Sequence, residues 1–302
     1  MIKPAELIAK YGGVIAFPVT PFHDDLSLDI EGLRHNLTRL MEHSVSAVVA
    51  AGGTGEMYSL TPSEHAQVIE TTVQIVSRKA PVIAGVGFNR AMAVEMAKQS
   101  AAAGADAILA LPPYYPQADE EALLEYYRAI GDATDLGLLI YSRDWASFSP
   151  AQVERLAAHI PTLVAWKDGQ ADLRRLQMII DRVGDRLYWI GGAGDDMVPG
   201  YYSIGIRTYT SSIATVAPKL SLALHDAAAN GRREKLSQLM SDCVIPLYAL
   251  RARRKGYEVS AMKAMMDIVG LRGGPVRPPL PDVRAEEREE LRALLERWKP
   301  FL

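Results

Sequence analysis

Short apolar runs alternate with amphipathic stretches from one end of the chain to the other. The runs are Val14-Ile15-Ala16-Phe17, Ala47-Val48-Val49-Ala50, Pro81-Val82-Ile83-Ala84, Ala107-Ile108-Leu109-Ala110-Leu111, Leu138-Leu139-Ile140-Tyr141, Leu163-Val164-Ala165-Trp166, Leu187-Tyr188-Trp189-Ile190 and Ile206-Arg207-Thr208-Tyr209. They are continuous rather than alternating, which implies burial on both faces, as in a parallel sheet. Helical patterns lie between them, over 29–43, 62–78, 91–103, 119–132, 150–159 and 171–183. Their starts carry capping signals: Thr61-Pro62 with Glu64 close behind, Ser149-Pro150, and Asp119 before two glutamates. Eight strand–helix units predict a (β/α)8 TIM barrel over residues 1–216.

Four more helical patterns follow, over 217–230, 232–255, 260–269 and 284–298, with no low-complexity linker before them. They predict a C-terminal helical extension, residues 217–302, packed on the barrel rather than an independent module. The proline-rich piece from Pro275 to Pro281 reads as a rigid connector.

Such a barrel puts its chemistry in the loops at the C-terminal ends of the strands. Those ends carry Thr20-Pro21, Gly52-Gly53-Thr54-Gly55-Glu56, Gly87, Pro112-Pro113-Tyr114-Tyr115, Tyr141-Ser142-Arg143-Asp144, Lys167-Asp168-Gly169, the turn from Gly191 to Asp196, and Thr210-Ser211-Ser212. Lys167 closes a buried run and opens onto a glycine turn, so its stem lies in the core and its amine where a pocket would be. Desolvation turns such a lysine from a cation into a nucleophile for carbonyls. The bland alternative is a strand-end lysine paired with Asp168.

The other strand ends divide in the same way. The Gly52–Glu56 stretch can present amides and the Thr54 hydroxyl to a carboxylate, or be a tight turn before the helix at Pro62. It lacks the lysine of a nucleotide-phosphate loop. Tyr141 can relay protons, or be a rim tyrosine. Arg143 can hold a carboxylate bidentately, or pair with Asp144. The turn from Gly191 to Asp196 resembles a phosphate cradle, but two aspartates repel an anion, which favours helix capping.

Composition narrows the function classes. Net charge is −3 and the pI about 6.1, which gives no footprint for nucleic acid. The basic stretch Arg251-Ala252-Arg253-Arg254-Lys255 reads as a solvated helix end. Cys243 is the only cysteine; with Val244 and Ile245 beside it, it reads as a buried, inert thiol. The stretch from Met1 to Lys10 lacks the pattern of a secretory signal, and no run approaches the ~20 apolar residues of a membrane span. Six histidines lie scattered, none in a metal-ligand spacing. A cytoplasmic enzyme for a small molecule is expected, with no metal, no cofactor, no nucleic-acid partner and no membrane partner.

Taken together, Pro18-Val19-Thr20-Pro21-Phe22, Gly53-Thr54-Gly55-Glu56 with Ser59-Leu60, Pro112-Pro113-Tyr114, Tyr141 and Lys167-Asp168 resemble the dihydrodipicolinate synthase / N-acetylneuraminate lyase superfamily across nearly the whole chain. The resemblance implies a Schiff base between Lys167 and a 2-keto acid, with Tyr141 as the proton-shuttling phenol. It further implies that Thr54 and the Gly53 amide bind the keto-acid carboxylate, and that Tyr114 or Tyr115 completes a relay into a neighbouring subunit. A homo-oligomer follows, a tetramer or a dimer.

Within that superfamily, the segments at 52–56, 141–144, 166–169 and 208–212 are similar to 5-dehydro-4-deoxyglucarate dehydratases, which dehydrate and decarboxylate a six-carbon keto-diacid to 2,5-dioxopentanoate. Arg143 or the hydroxyls of Ser211 and Ser212 would hold the distal carboxylate. Ser142 and Trp145 stand where that family usually has asparagines. Met57-Tyr58 and Tyr115-Pro116 also depart from its pattern. These departures are expected to line the mouth. Two other readings stand beside this one: an aldolase or dehydratase acting on another 2-keto-3-deoxy acid, or a dihydrodipicolinate-synthase-like enzyme, and a binding barrel that has lost catalysis.

Overall fold

A computed structural model of the chain describes residues 12–76, 78–115 and 117–302. The stretch from Met1 to Lys10, read above for a secretory signal, and Pro116 lie outside them. Eight parallel strands close a barrel in sequence order: β1 (Gly13–Ala16), β2 (Ala47–Ala50), β3 (Val82–Val86), β4 (Ala107–Ala110), β5 (Gly137–Ser142), β6 (Leu163–Asp168), β7 (Tyr188–Gly191) and β8 (Thr208–Ser211). β8 pairs back onto β1, with Gly13 opposite Thr208 and Ala16 opposite Ser211. This strand starts later than the apolar run suggests, because pairing to β1 and not hydrophobicity sets its ends.

Alternation along the strands divides the barrel into two layers. Ile15, Val49, Ile83, Leu109, Leu139 and Ile190 fill the interior. Their neighbours Val48, Ile108, Ile140 and Trp166 face the surrounding helices. Those helices are α1 (Ile30–Leu40), α2 (Pro62–Val76), α3 (Arg90–Ala102), α4 (Glu120–Gly131), α5 (Pro150–His159), α6 (Leu173–Val183), the short α7 (Val198–Ser203) and α8 (Pro218–Ala229). The expected caps form. Asp119 accepts from the amides of Glu121 and Ala122, and Ser149 with Gln152 makes a capping box.

α8 was expected to open the extension. Instead it packs against β1 and α7, and the Tyr209 hydroxyl on β8 donates to the Ser221 carbonyl at 2.8 Å. The helical ring is therefore completed beyond residue 216, and the added helices are α9 (Arg233–Leu239), α10 (Ile245–Arg251), α11 (Tyr257–Ile268) and α12 (Ala285–Trp298). They share a core with α8, including Leu220, Leu247, Met262, Leu291 and Trp298. The single helix expected over 232–255 is two, joined by a π turn at Met240–Val244. Pro246 explains the break: it has no N–H for the carbonyl four residues back, and its ring crowds that carbonyl. The proline-rich connector is anchored to the barrel through Arg277, which pairs with Glu64 at 2.5 Å and donates to the Leu26 carbonyl at 2.7 Å. Among the described residues no helix is long and apolar enough to cross a membrane.

Candidate active site

In the barrel register Tyr141 on β5 lies opposite Lys167 on β6, which lies opposite Ile190 on β7. All three positions face inward, so the lysine and the phenol are neighbours by strand pairing alone. Lys167 is 3% exposed. Its Nζ donates to the Gly192 carbonyl at 2.9 Å and sits 3.1 Å from the centre of the Tyr141 ring. The Tyr141 hydroxyl donates to the same carbonyl at 3.3 Å. A Cβ on Gly192 would collide with the Lys167 side chain and lie 2.9 Å from its Nζ. Only glycine allows the amine to reach this position.

Burial holds the Lys167 amine well below the usual lysine range, the Arg143 cation pushes it the same way, and Asp168 opposes them weakly. The pairing with Asp168 that would have made Lys167 an ordinary strand-end residue is not formed. Asp168 points to the opposite side of β6, where its Oδ2 accepts from the Tyr201 hydroxyl at 2.9 Å. Burial also raises the Tyr141 phenol above its ordinary value, with Arg143 opposing.

These groups open into a cavity of about 520 Å³ at the C-terminal end of the barrel. Gly53, Thr54, Tyr141, Arg143, Lys167 and Ser212 all line it. The Gly53–Glu56 loop is folded by bonds from the Glu56 and Met57 amides to the carbonyls of Gly53 and Gly52, at 3.1 and 3.2 Å. The Thr20 hydroxyl pins its Gly55 carbonyl at 2.7 Å. Arg143 keeps its Nε 3.2 Å from Asp144 Oδ2, and its Nη1 is 3.6 Å from where a Cβ on Gly53 would stand. Arg143 therefore pairs with Asp144 and still lines the cavity.

Three expectations are corrected. Ser211 does not face the cavity. Its hydroxyl turns outward, donates to Asp195, and accepts from the Ser221 hydroxyl at 2.7 Å. The aspartates of the Gly191–Asp196 turn do not stand at the start of a helix as expected: Asp195 and Asp196 lie inside the 3-10 turn Asp195–Met197, whose N-cap position is Gly194. Asp195 is fully buried, and burial raises its carboxyl to about 6. The stretch from Arg251 to Lys255 is not merely a solvated helix end, since all five of its residues border the cavity. Sequence reasoning missed these cations and Tyr248 because they belong to the added helices, where strand-end logic does not apply.

Tyr114 and Tyr115 lie at the same end of the barrel but outside the cavity lining, 90% and 75% exposed. Of the departures from the dehydratase pattern, Tyr58 lines the cavity. Ser142 turns its hydroxyl to the Ala146 carbonyl at 3.0 Å, Met57 is buried, and Trp145 packs against the core. Pro116 lies outside the described residues.

Residues 10–298 match the Dihydrodipicolinate synthetase family. The chain belongs to that family. Among curated relatives, a protein of Methylobacterium radiotolerans named "Probable 5-dehydro-4-deoxyglucarate dehydratase" is 41% identical over 297 residues, 97% of this chain and 98% of that protein. One of the same name from Rhodococcus opacus is 39% identical and covers 98% of each. Among solved structures, a dihydrodipicolinate synthase from Oceanobacillus iheyensis superposes with a TM-score of 0.92 at 30% identity, over 99% of this chain and all of that one.

Proposed function

We propose that this family member is a lysine Schiff-base lyase that converts 5-dehydro-4-deoxy-D-glucarate to 2,5-dioxopentanoate, carbon dioxide and water. The observation that carries this reading is the buried Lys167 amine against the Tyr141 ring, in a cavity with the Gly53-Thr54 loop on one side and several cations on its rim. The names of the relatives point to the same substrate. We further propose a cytoplasmic homo-oligomer, in which Tyr114 or Tyr115 reaches a neighbouring subunit's cavity.

Thr54 and the Gly53 amide receive the carboxylate beside the ketone. The Lys167 amine adds to that ketone and expels water, leaving a protonated imine. A proton leaves the adjacent methylene, and the enamine then expels the hydroxyl on the next carbon as a second water. The distal carboxylate departs as carbon dioxide, and its bonding electrons pass along the conjugated chain to the imine nitrogen. Reprotonation and hydrolysis return one water and free the amine, so the net loss is one water and one carbon dioxide. Tyr141, within reach of the imine nitrogen, carries the protons.

The test is incubation with 5-dehydro-4-deoxyglucarate and with mono-acid 2-keto-3-deoxy analogues, with and without borohydride. Carbon dioxide release from the diacid and added mass on a Lys167 peptide are expected. Reversible cleavage to pyruvate would move the assignment to an aldolase.

A further inference from the structure

Arg251 ends α10, where a cation is ordinarily accounted for by the helix dipole alone. Its surroundings are more specific than that. Its guanidinium stacks 4.5 Å from the centre of the Tyr248 ring, and its Nη1 donates to Ser212 Oγ at 3.2 Å. Arg251, Ser212 and Tyr248 line the same cavity as Lys167. The neighbouring Arg253 is taken up by both carboxylate oxygens of Glu290, at 2.7 and 2.8 Å. Arg251 has no such partner: among the described residues, no carboxylate lies within ion-pair distance of it. Asp195 and Asp196 act on it only from farther away. Asp195 already accepts from the hydroxyls of Ser211 and Tyr248.

Arg143 is poorly placed for the far end of a substrate. It sits beside Gly53, at the end of the cavity where the keto-acid carboxylate is received, and is tied to Asp144. Arg251 belongs to a different wall, joined to the loop that follows β8. A ligand with one carboxylate at the Gly53-Thr54 loop and its ketone at Lys167 leaves this wall for whatever its other end carries. A guanidinium paired with a hydroxyl, with one face covered by an aromatic ring, suits a carboxylate.

We propose that Arg251 and Ser212 together receive the far carboxylate of a six-carbon keto-diacid, which makes Arg251 the residue that selects diacids over mono-acids. This deepens the functional reading above and rests on it for the identity of the substrate. Holding that carboxylate also fixes rotation about the carbon–carbon bond that breaks, and the bond must stand across the plane of the conjugated imine for its electrons to enter it.

The experiment is calorimetric titration of the full chain with 2-oxoadipate and with 2-oxohexanoate, a six-carbon keto-diacid and its mono-acid counterpart. Both offer the same ketone and near carboxylate, so neither catalysis nor decarboxylation enters the comparison. The parent should prefer the diacid by roughly tenfold or more, the scale of one charge-assisted hydrogen bond. In Arg251→Gln the ratio of the two affinities should fall toward one, and Arg251→Lys should restore part of it. Equal affinities in the parent, or an undiminished ratio in a folded Arg251→Gln, overturn the proposal. Should Arg251→Gln fail to fold, Ser212→Ala decides: its ratio must drop, and an unchanged ratio overturns the proposal equally. A parent that releases no carbon dioxide from 5-dehydro-4-deoxyglucarate would sink the dehydratase reading and leave this ratio intact.

Discussion

Lys263 Nζ lies 2.6 Å from Glu56 Oε1, with 1% and 0% of the two side chains in solvent. Glu56 closes the Gly53-Thr54-Gly55 loop in a left-handed conformation, φ 54°. Its other oxygen accepts from the Arg277 amide at 3.0 Å, and Lys263 also donates to the Pro275 carbonyl at 2.8 Å. The loop that offers Thr54 to the cavity is thus held from behind by α11 and the proline-rich connector. The added helices serve the site from two directions: Lys263 supports its floor, and α10 brings Arg251 to its rim.

That pair should be strongly coupled. Glu56→Gln strands a buried ammonium, and Lys263→Met strands a buried carboxylate. Each single change should cost about 3–5 kcal/mol in urea unfolding. The double variant should recover much of that, because neither charge is then left alone. Simple additivity of the two single effects would show that the charges are not coupled.

Lys167 gives a pH signature independent of turnover. Its folded value is lowered by burial, whereas a lysine in the unfolded chain titrates near about 10.4. Between those values the unfolded state binds one more proton, so stability rises with pH. Lys167→Met removes that proton uptake. It should unfold at a higher temperature than the parent near neutral pH, with the advantage shrinking as pH climbs toward the unfolded-lysine value. Parallel melting curves across that window would mean that Lys167 is charged in the folded chain. The same variant should take up no mass on borohydride treatment with pyruvate.

Tyr141→Phe separates the phenol from its ring. The ring still packs against Lys167, and the hydroxyl gives up its long bond to the Gly192 carbonyl and its interaction with Arg143. Turnover should fall about 10²-fold or more, while trapping of pyruvate on Lys167 and thermal stability persist. An unchanged kcat would reduce Tyr141 to a packing residue.

The barrel was readable in the sequence because parallel strands buried on both faces leave continuous apolar runs, and their ends name the loops that carry chemistry. That logic singled out Lys167, Tyr141, Thr54 and Arg143, and the fold brings all four to the lining of one cavity. The same logic misplaced Ser211, since strand-end position does not say which face a side chain takes: Ser211 faces α8 while its neighbours Thr210 and Ser212 face the cavity. Arg251 was hidden differently. A basic helix end looks the same in sequence whether it meets water or a pocket, and only the bend at Pro246 and the packing of α10 decide between them. The eighth helix was misplaced for a related reason, because nothing in the composition of α8 distinguishes it from the helices that follow.

Assembly can be argued from Tyr114 and Tyr115. They stand 90% and 75% exposed on the loop after β4, at the cavity end of the barrel yet outside its lining. Two such side chains expose roughly 150–250 Å² each when free. Covering them would contribute on the order of several kcal/mol per subunit, and closed symmetric oligomers are the common way to do so. Light scattering should therefore give a multiple of the 33.0 kDa chain mass, a tetramer or a dimer. Replacing both tyrosines by arginine places like charges across a two-fold contact, so the variant should shift toward monomer. If a phenol from this loop completes a neighbour's relay, kcat should fall as the assembly is lost, while Lys167 still traps pyruvate. A parent of monomer mass at micromolar concentration would rule out both the assembly and the shared relay.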